Sequence, residues 1–133
     1  MMSTTTHQAV TTPDAPAPVG PYNQAVQAGG WLYCSGQIPL DPATGAMVGG
    51  GDVEAETRQV LRNLKAVLSA AGTEAAKVVR TTVYLVDLAD FQAVNAIYAE
   101  MFGSGVSPAR ACVQVAALPK GSKVEIDCIA WLG

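Results

Sequence analysis

Apolar positions recur along this chain with two periods, and the switch between them divides it into elements. Val60, Leu61, Leu64, Val67, Leu68 and Ala71 fall at i, i+1, i+4, i+7, i+8 and i+11, the spacing of one buried stripe on an α-helix. Asp52 precedes the run as an N-cap, Glu54 and Glu56 put negative charge in the first turn, and Gly72 supplies the stop. Arg58, Arg62 and Lys65 fall on the opposite, solvated face. A second helix is predicted behind a cap at Asp90, with Phe91, Val94, Tyr98, Met101 and Phe102 apolar and Gly103 at its end.

The period drops to two over residues 78–87. Val79, Thr81, Val83 and Leu85 take one side there, and Arg80, Thr82, Tyr84 and Val86 the other, in a segment rich in β-branched residues. Residues 22–27 and 31–35 read as short strands of a hairpin turning at Ala28-Gly29-Gly30. Residues 36–45 form a Pro- and Gly-punctuated loop, and Gly49-Gly50-Gly51 lacks the Gly-Lys-Ser/Thr ending of a phosphate loop and reads as plain loop. Two C-terminal strands, 108–115 and 123–131, are joined by a turn at Leu118-Pro119-Lys120-Gly121. The order β-β-loop-α-β-α-β-β predicts an α+β domain over residues 18–133: a largely antiparallel sheet with both helices on one face. The other face must be covered or solvated. Residues 1–17, rich in Thr, Pro and Ala, read as a flexible N-terminal arm.

Composition narrows the function. The 133 residues suit one core, and with 50% hydrophobic and 14% charged residues the chain is apolar enough to bury surface against copies of itself. A net charge of −3 argues against nucleic-acid partners. No apolar run reaches membrane-span length and the N-terminus lacks a secretory layout, so a cytoplasmic protein without membrane partners is expected. Cys34, Cys112 and Cys128 form neither a disulfide framework nor a zinc motif. Cys34 and Cys128 read as small buried hydrophobes. The single histidine, His7, lies in the arm, which argues against a Ser-His-Asp triad, a Cys-His dyad, a histidine-ligated metal and a histidine-pair nuclease.

Two charged residues then stand out in the last two strands. Arg110 is set in Pro108-Ala109-Arg110-Ala111-Cys112-Val113-Gln114-Val115, and Glu125 in Lys123-Val124-Glu125-Ile126-Asp127-Cys128-Ile129. Parity puts Arg110, Cys112 and Gln114 on one face of their strand, and Glu125 and Asp127 on one face of theirs. If those faces coincide, two readings are open. One is a structural ion pair of Arg110 with Glu125 or Asp127. The other is a site in which the Arg110 fork binds a carboxylate and Glu125 holds a water or moves a proton. Cys112 without a histidine is a poor nucleophile.

The same stretch resembles the signature of the RidA (YjgF) family. The resemblance continues through Gly20-Pro21-Tyr22-Asn23-Gln24-Ala25, Ser35-Gly36-Gln37-Ile38-Pro39, Asp41-Pro42-Ala43-Thr44-Gly45, Thr81-Thr82-Val83-Tyr84-Leu85, Asp87-Leu88-Ala89-Asp90-Phe91 and Val94-Asn95-Ala96-Ile97-Tyr98. It implies a chorismate-mutase-like fold and a homotrimer with ligand clefts between subunits. It also implies cofactor-free and metal-free hydrolysis of reactive 2-imino and enamine acids, such as 2-iminobutanoate and 2-iminopropanoate, to 2-oxo acids and ammonia. By the same resemblance Arg110 holds the substrate carboxylate and Glu125 lies near the catalytic water. Ser35 and Gly36 belong to the pocket loop, Tyr22 and Asn95 are pocket polar positions, and Cys112 matches the family cysteine. On their own, Tyr22 reads as a rim aromatic, Asn95 as a helix residue fixing a loop, and Ser35 as a strand end. Phe91, Tyr98, Met101 and Phe102 read as core. Two other functions are associated with such a chain: a trimeric metabolite-binding or chaperone-like module, and an endoribonuclease or translation inhibitor.

Overall fold

Both amphipathic helices lie against one face of a six-stranded sheet in the computed structural model, which describes residues 6–133. The strands are β1 (His7–Val10), β2 (Ala25–Ala28), β3 (Trp31–Gln37), β4 (Val78–Leu85), β5 (Ala109–Gln114) and β6 (Val124–Trp131). Helix α1 (Val53–Ala70) separates β3 from β4, and α2 (Phe91–Phe102) separates β4 from β5. The sheet order is β1-β2-β3-β6-β4-β5. Among the described residues only β4 and β5 run parallel, and the helical crossover α2 makes that pairing possible. The remaining pairings are antiparallel.

The α1 stripe packs as its spacing predicts, with Val60, Leu64, Val67 and Leu68 fully buried. Asp52 caps the helix, its carboxylate accepting from the Glu54 and Ala55 amides at 2.9 and 3.4 Å. Val83, Leu85, Val124, Ile126 and Cys128 rise from the sheet to meet the helices. Cys34 and Cys128 are buried cross-strand partners in this core. A hydrogen bond with the neighbouring Cys34, and then burial, push the Cys128 thiol well above the usual thiol range.

Three expectations need correction. Residues 1–5 lie outside the described residues, but the rest of the expected arm is built into the fold. His7–Val10 forms the edge strand β1 paired with β2, so His7 sits exposed on a strand and not in a tail. Buried Gln24 accepts from the Thr12 amide at 2.7 Å and donates to the carbonyls of Thr12, Ala15 and Pro16. A side chain outside the arm thus supplies partners that its composition does not advertise. Second, the alternation in β4 breaks where the register with β6 shifts between Val78 and Arg80. Val78 is buried in the core and Val79 is exposed. Third, Asp90 makes no side-chain capping bond; Asp87 caps the preceding turn through the Ala89 amide.

Candidate active site

Register fixes where the two charged residues point. Arg110 pairs with Thr81, whose buried hydroxyl lies 2.7 Å from the Tyr98 hydroxyl of α2. Arg110 therefore lies on the helix-covered face, at the edge strand where α2 stops shielding it. Glu125 pairs with Tyr84 on β4 and is flanked in its strand by fully buried Val124 and Ile126. It therefore lies on the uncovered face. Tyr84 in turn pairs with Val113, three residues along β5 from Arg110. The faces do not coincide within one chain, and the ion-pair reading fails. Among the described residues the salt bridge found is Arg58 with Glu100.

Around Arg110, the surroundings are a shallow cationic cradle. Its Nη1 donates to Asn95 Oδ1 at 2.7 Å, and its guanidinium lies 4.8 Å from the Tyr98 ring centroid and 5.5 Å from that of Phe91. Stacking on two rings orients the fork, and with a single protein acceptor among the described residues, further donors are open to a planar anion. A cavity of ≈ 440 Å³ beside it is lined by Asn95, Tyr98, Phe102, Ser107, Pro108 and Arg110. Tyr98 and Phe102 are core residues, as the sequence suggests, but both also wall this cavity. Cys112, two residues on, faces the same side and is partly buried. Burial raises its thiol pKa, with Arg110 opposing more weakly, so the thiol is held protonated and is not set up as a nucleophile.

The surroundings of Glu125 are of the opposite kind. Burial raises its pKa above the ordinary carboxylate value, and the charge of Asp127 adds to the effect. Asp127 itself accepts from the Tyr84 hydroxyl at 3.0 Å. The sheet register slips between Cys34 and Gln37, where Ser35 and Gly36 sit. A Cβ at Gly36 would overlap the Glu125 carboxylate, so glycine there permits the carboxylate to lie against the β3 backbone. The Ser35 hydroxyl donates to the Asn23 carbonyl at 2.6 Å and its amide to the Gln24 carbonyl, which ties the residues just before β2 to this half. Tyr22 lies just before, exposed, with its hydroxyl accepting from the Val19 amide at 3.3 Å.

The structure therefore divides the sequence-predicted residues in two. Arg110, Asn95 and Cys112 form one group, and Glu125, Gly36, Ser35 and, at its margin, Tyr22 form the other. Phe91, Tyr98 and Tyr84 join as residues that the chemistry reading of the sequence left out, and Asp127, read there as a possible partner of Arg110, belongs with Glu125 and Tyr84 instead. Tyr84 carried a signal, since a polar aromatic alternates with apolar positions in β4; the stacking role of Phe91 and Tyr98 had none. Among the described residues no group of three or more His, Cys, Asp or Glu comes together as a metal-ligand cluster.

Known proteins match along nearly the whole chain. Residues 12–132 match the family described as Endoribonuclease L-PSP. The chain is 52% identical over 132 residues to the 2-iminobutanoate/2-iminopropanoate deaminase of Mus musculus, covering 99% of this chain and 96% of that protein. It is 55% identical over 127 residues to a RutC family protein, slr0709, of a Synechocystis strain, covering 96% and 98%. A solved structure of the Rid protein family member YyfA from Yersinia pestis superposes with a TM-score of 0.91 at 47% identity, covering 94% of this chain and 98% of that one. With a family match spanning residues 12–132, relatives about half identical end to end and the same fold in a solved Rid protein, this chain belongs to the RidA (YjgF) family.

Proposed function

We propose that this protein is an imine deaminase that hydrolyses 2-imino acids to 2-oxo acids and ammonia, in sites shared between the subunits of a homotrimer. The observation that carries the reading is the separation of Arg110 and Glu125 onto opposite faces of one sheet. Each chain then offers an anion cradle and a carboxylate that complement one another only across a subunit boundary. The face bearing Glu125 carries exposed Trp31, Tyr33, Val113 and Trp131, an apolar surface of the kind that a second copy would cover. The trimer itself comes from the family resemblance, and the choice of substrate is supported by mammalian relatives named as deaminases, at 52% identity in mouse and 48% in human.

In this mechanism the substrate carboxylate takes the Arg110 fork, oriented by Asn95, Phe91 and Tyr98. Ionised Glu125, made more basic by burial, accepts a proton from a water as the water oxygen attacks C2 of the protonated imine. The C2–O bond forms and the C=N π electrons return to nitrogen. Glu125 then returns the proton to the amine of the tetrahedral adduct. The C2–N bond breaks as ammonia leaves, and the hydroxyl gives its proton to solvent, which yields the 2-oxo acid. Cys112 serves by its size and backbone. The reading gives the protein no cofactor and a cytoplasmic setting; among the described residues no helix is long and apolar enough to cross a membrane.

The test is to generate 2-iminobutanoate and 2-iminopropanoate with an amino-acid dehydratase and follow 2-oxo acid release, with the oligomer size measured in parallel. Catalytic amounts of protein are expected to accelerate release; a rate equal to the spontaneous one overturns the proposal. Tight 2-oxo acid binding without turnover would instead favour a metabolite-binding module. The endoribonuclease description attached to the family finds little support in the charges. Arg58, Arg62 and Lys65 line a groove between α1 and α2, but Arg58 is engaged by Glu100 at 2.9 Å and the chain as a whole is acidic.

A further inference from the structure

Helix α1 carries a second buried stripe that its apolar pattern does not explain. Glu56, Gln59 and Asn63, at i, i+3 and i+7, are 1%, 8% and 1% exposed. Asn63 Nδ2 donates to the carbonyls of Leu40 at 2.9 Å and Ile38 at 3.3 Å. Gln59 Nε2 fixes the orientation of that amide by donating to Asn63 Oδ1 at 2.8 Å. Glu56 Oε1 accepts from the Lys123 amide at 2.8 Å. Gly49, at φ +101°, makes room for Glu56, since a Cβ there would stand 2.8 Å from Glu56 Cγ. Among the described residues, no buried side-chain nitrogen or oxygen lacks a partner. An apolar stripe would pack α1 against the sheet without spending polar groups in the core, so this ladder needs another reason to be there.

The two segments it grips supply one. Ile38 lies two residues after Gly36, and Lys123 two residues before Glu125. Gly36 and the Glu125 carboxylate are in direct contact. Their spacing depends on how β3 leaves the sheet and how β6 enters it, at a place where the register between them slips and ladder bonds do not define it. We infer that Glu56, Gln59 and Asn63 are positioning residues that act through the segments around Gly36 and Lys123 to seat the Glu125 carboxylate. They touch neither substrate nor water. They hold the carboxylate half-buried against the Gly36 backbone, with Asp127 of β6 and Tyr84 of β4 as its titratable neighbours.

The catalytic part of this inference rests on the deaminase reading; the structural part does not, and the test separates them. Asn63→Leu keeps the volume and removes the donors to Ile38 and Leu40. Val67→Ala, in the apolar stripe of the same helix, is the control for loss of packing alone. The side-chain carboxyl of Glu125 is titrated by carbon-13 NMR, assigned against Glu125→Gln, and kcat and KM are measured on 2-iminobutanoate. In Asn63→Leu the Glu125 midpoint is expected to fall back toward the ordinary glutamate value as water reaches it. The kcat should drop about 10- to 100-fold, with KM changed by less than about threefold. Val67→Ala should lower thermal stability and leave both readouts in place. Should Asn63→Leu not fold, Gln59→Leu, which leaves the Asn63 donors but frees their orientation, is expected to move both readouts the same way by less. A Glu125 midpoint and kcat that match those of Val67→Ala overturn the inference. If the unaltered protein shows no deaminase activity while the Asn63→Leu midpoint still moves, the reaction is wrong and the positioning role stands.

Discussion

Arg110 and Glu125 ride on one sheet, and the fold treats them differently. Arg110 sits on an edge strand beside two aromatic rings of α2, exposed, with one acceptor among the described residues, at 2.7 Å, and donors to spare. Glu125 sits on a central strand, half-buried, against a glycine backbone and near a second carboxylate. The arginine has no carboxylate partner among the described residues; the glutamate is partly desolvated and lies beside a second carboxylate. Structural ion pairs satisfy their charges, whereas a binding cation and a general base must keep theirs available. Unequal environments for two groups of opposite charge are therefore better evidence of function than mere presence in apolar strands.

Removing the cation should produce the largest effect. Arg110→Ala is expected to lower kcat/KM for 2-imino acids about 10³-fold, since it removes the charge and both arms of the fork. Arg110→Lys should restore part of this but remain about 10- to 100-fold below the unaltered protein, because an ammonium neither stacks nor bonds in two parallel arms. Full activity in the lysine variant, in the same steady-state assay, would remove the bidentate role.

Glu125→Gln comes next, with kcat lowered about 100-fold. The same substitution should stabilise the fold. Burial raises the folded-state pKa of Glu125 above its unfolded value, so folding favours the protonated form. The stability this gives is present below the unfolded pKa and is lost as pH rises through the folded pKa. At pH 7 the charged glutamate is a burden that glutamine lifts, so the variant should melt higher there, with the gap closing in acid. Activity should fall as pH drops through a midpoint above that of an ordinary glutamate. Refolding Arg110→Ala and Glu125→Gln chains together tests the division of the site. If each site takes its arginine and glutamate from different chains, random mixing restores about a quarter of full activity. If both come from one chain, the mixture stays inactive.

These tests also mark how far the sequence could be read. Periodicity located both helices and the central strands because helix packing and strand pleating impose their periods on any buried face. The capping at Asp52 was legible for the same local reason, and the family signature pointed to Arg110, Glu125, Ser35, Gly36 and Asn95. Parity could assign Arg110 and Glu125 to a face of their own strand, but not relate the two faces. That depends on β4 lying between β5 and β6, a non-local fact of topology. Gln24, Glu56, Gln59 and Asn63 were illegible for a related reason. A buried polar residue looks like a surface one until its partner is known, and their partners are backbone groups or other polar side chains distant or helical in spacing. The arm failed similarly, since its order comes from β2 and Gln24 and not from its own composition.

The smallest expected effect separates orientation of the cation from its charge. Among the described residues Asn95 is the one side chain that accepts from Arg110, and the contact is exposed. Asn95→Ala leaves the guanidinium, its two rings and its charge. What is lost is a single bond that selects one of the orientations the fork can take above Tyr98. An exposed hydrogen bond to a charged group contributes modestly because water replaces it, so KM should rise about three- to tenfold with kcat changed less. Tyr98→Phe serves as the companion. It keeps the ring under Arg110 and removes the hydroxyl that meets Thr81 at 2.7 Å, so it should cost about 1 kcal/mol of stability and leave KM nearly unchanged. If both variants raise KM alike, the cradle works as one rigid piece and Arg110 depends on the seating of α2. If neither does, the rings alone orient the fork, and Asn95 belongs to the cavity wall and not to the cradle.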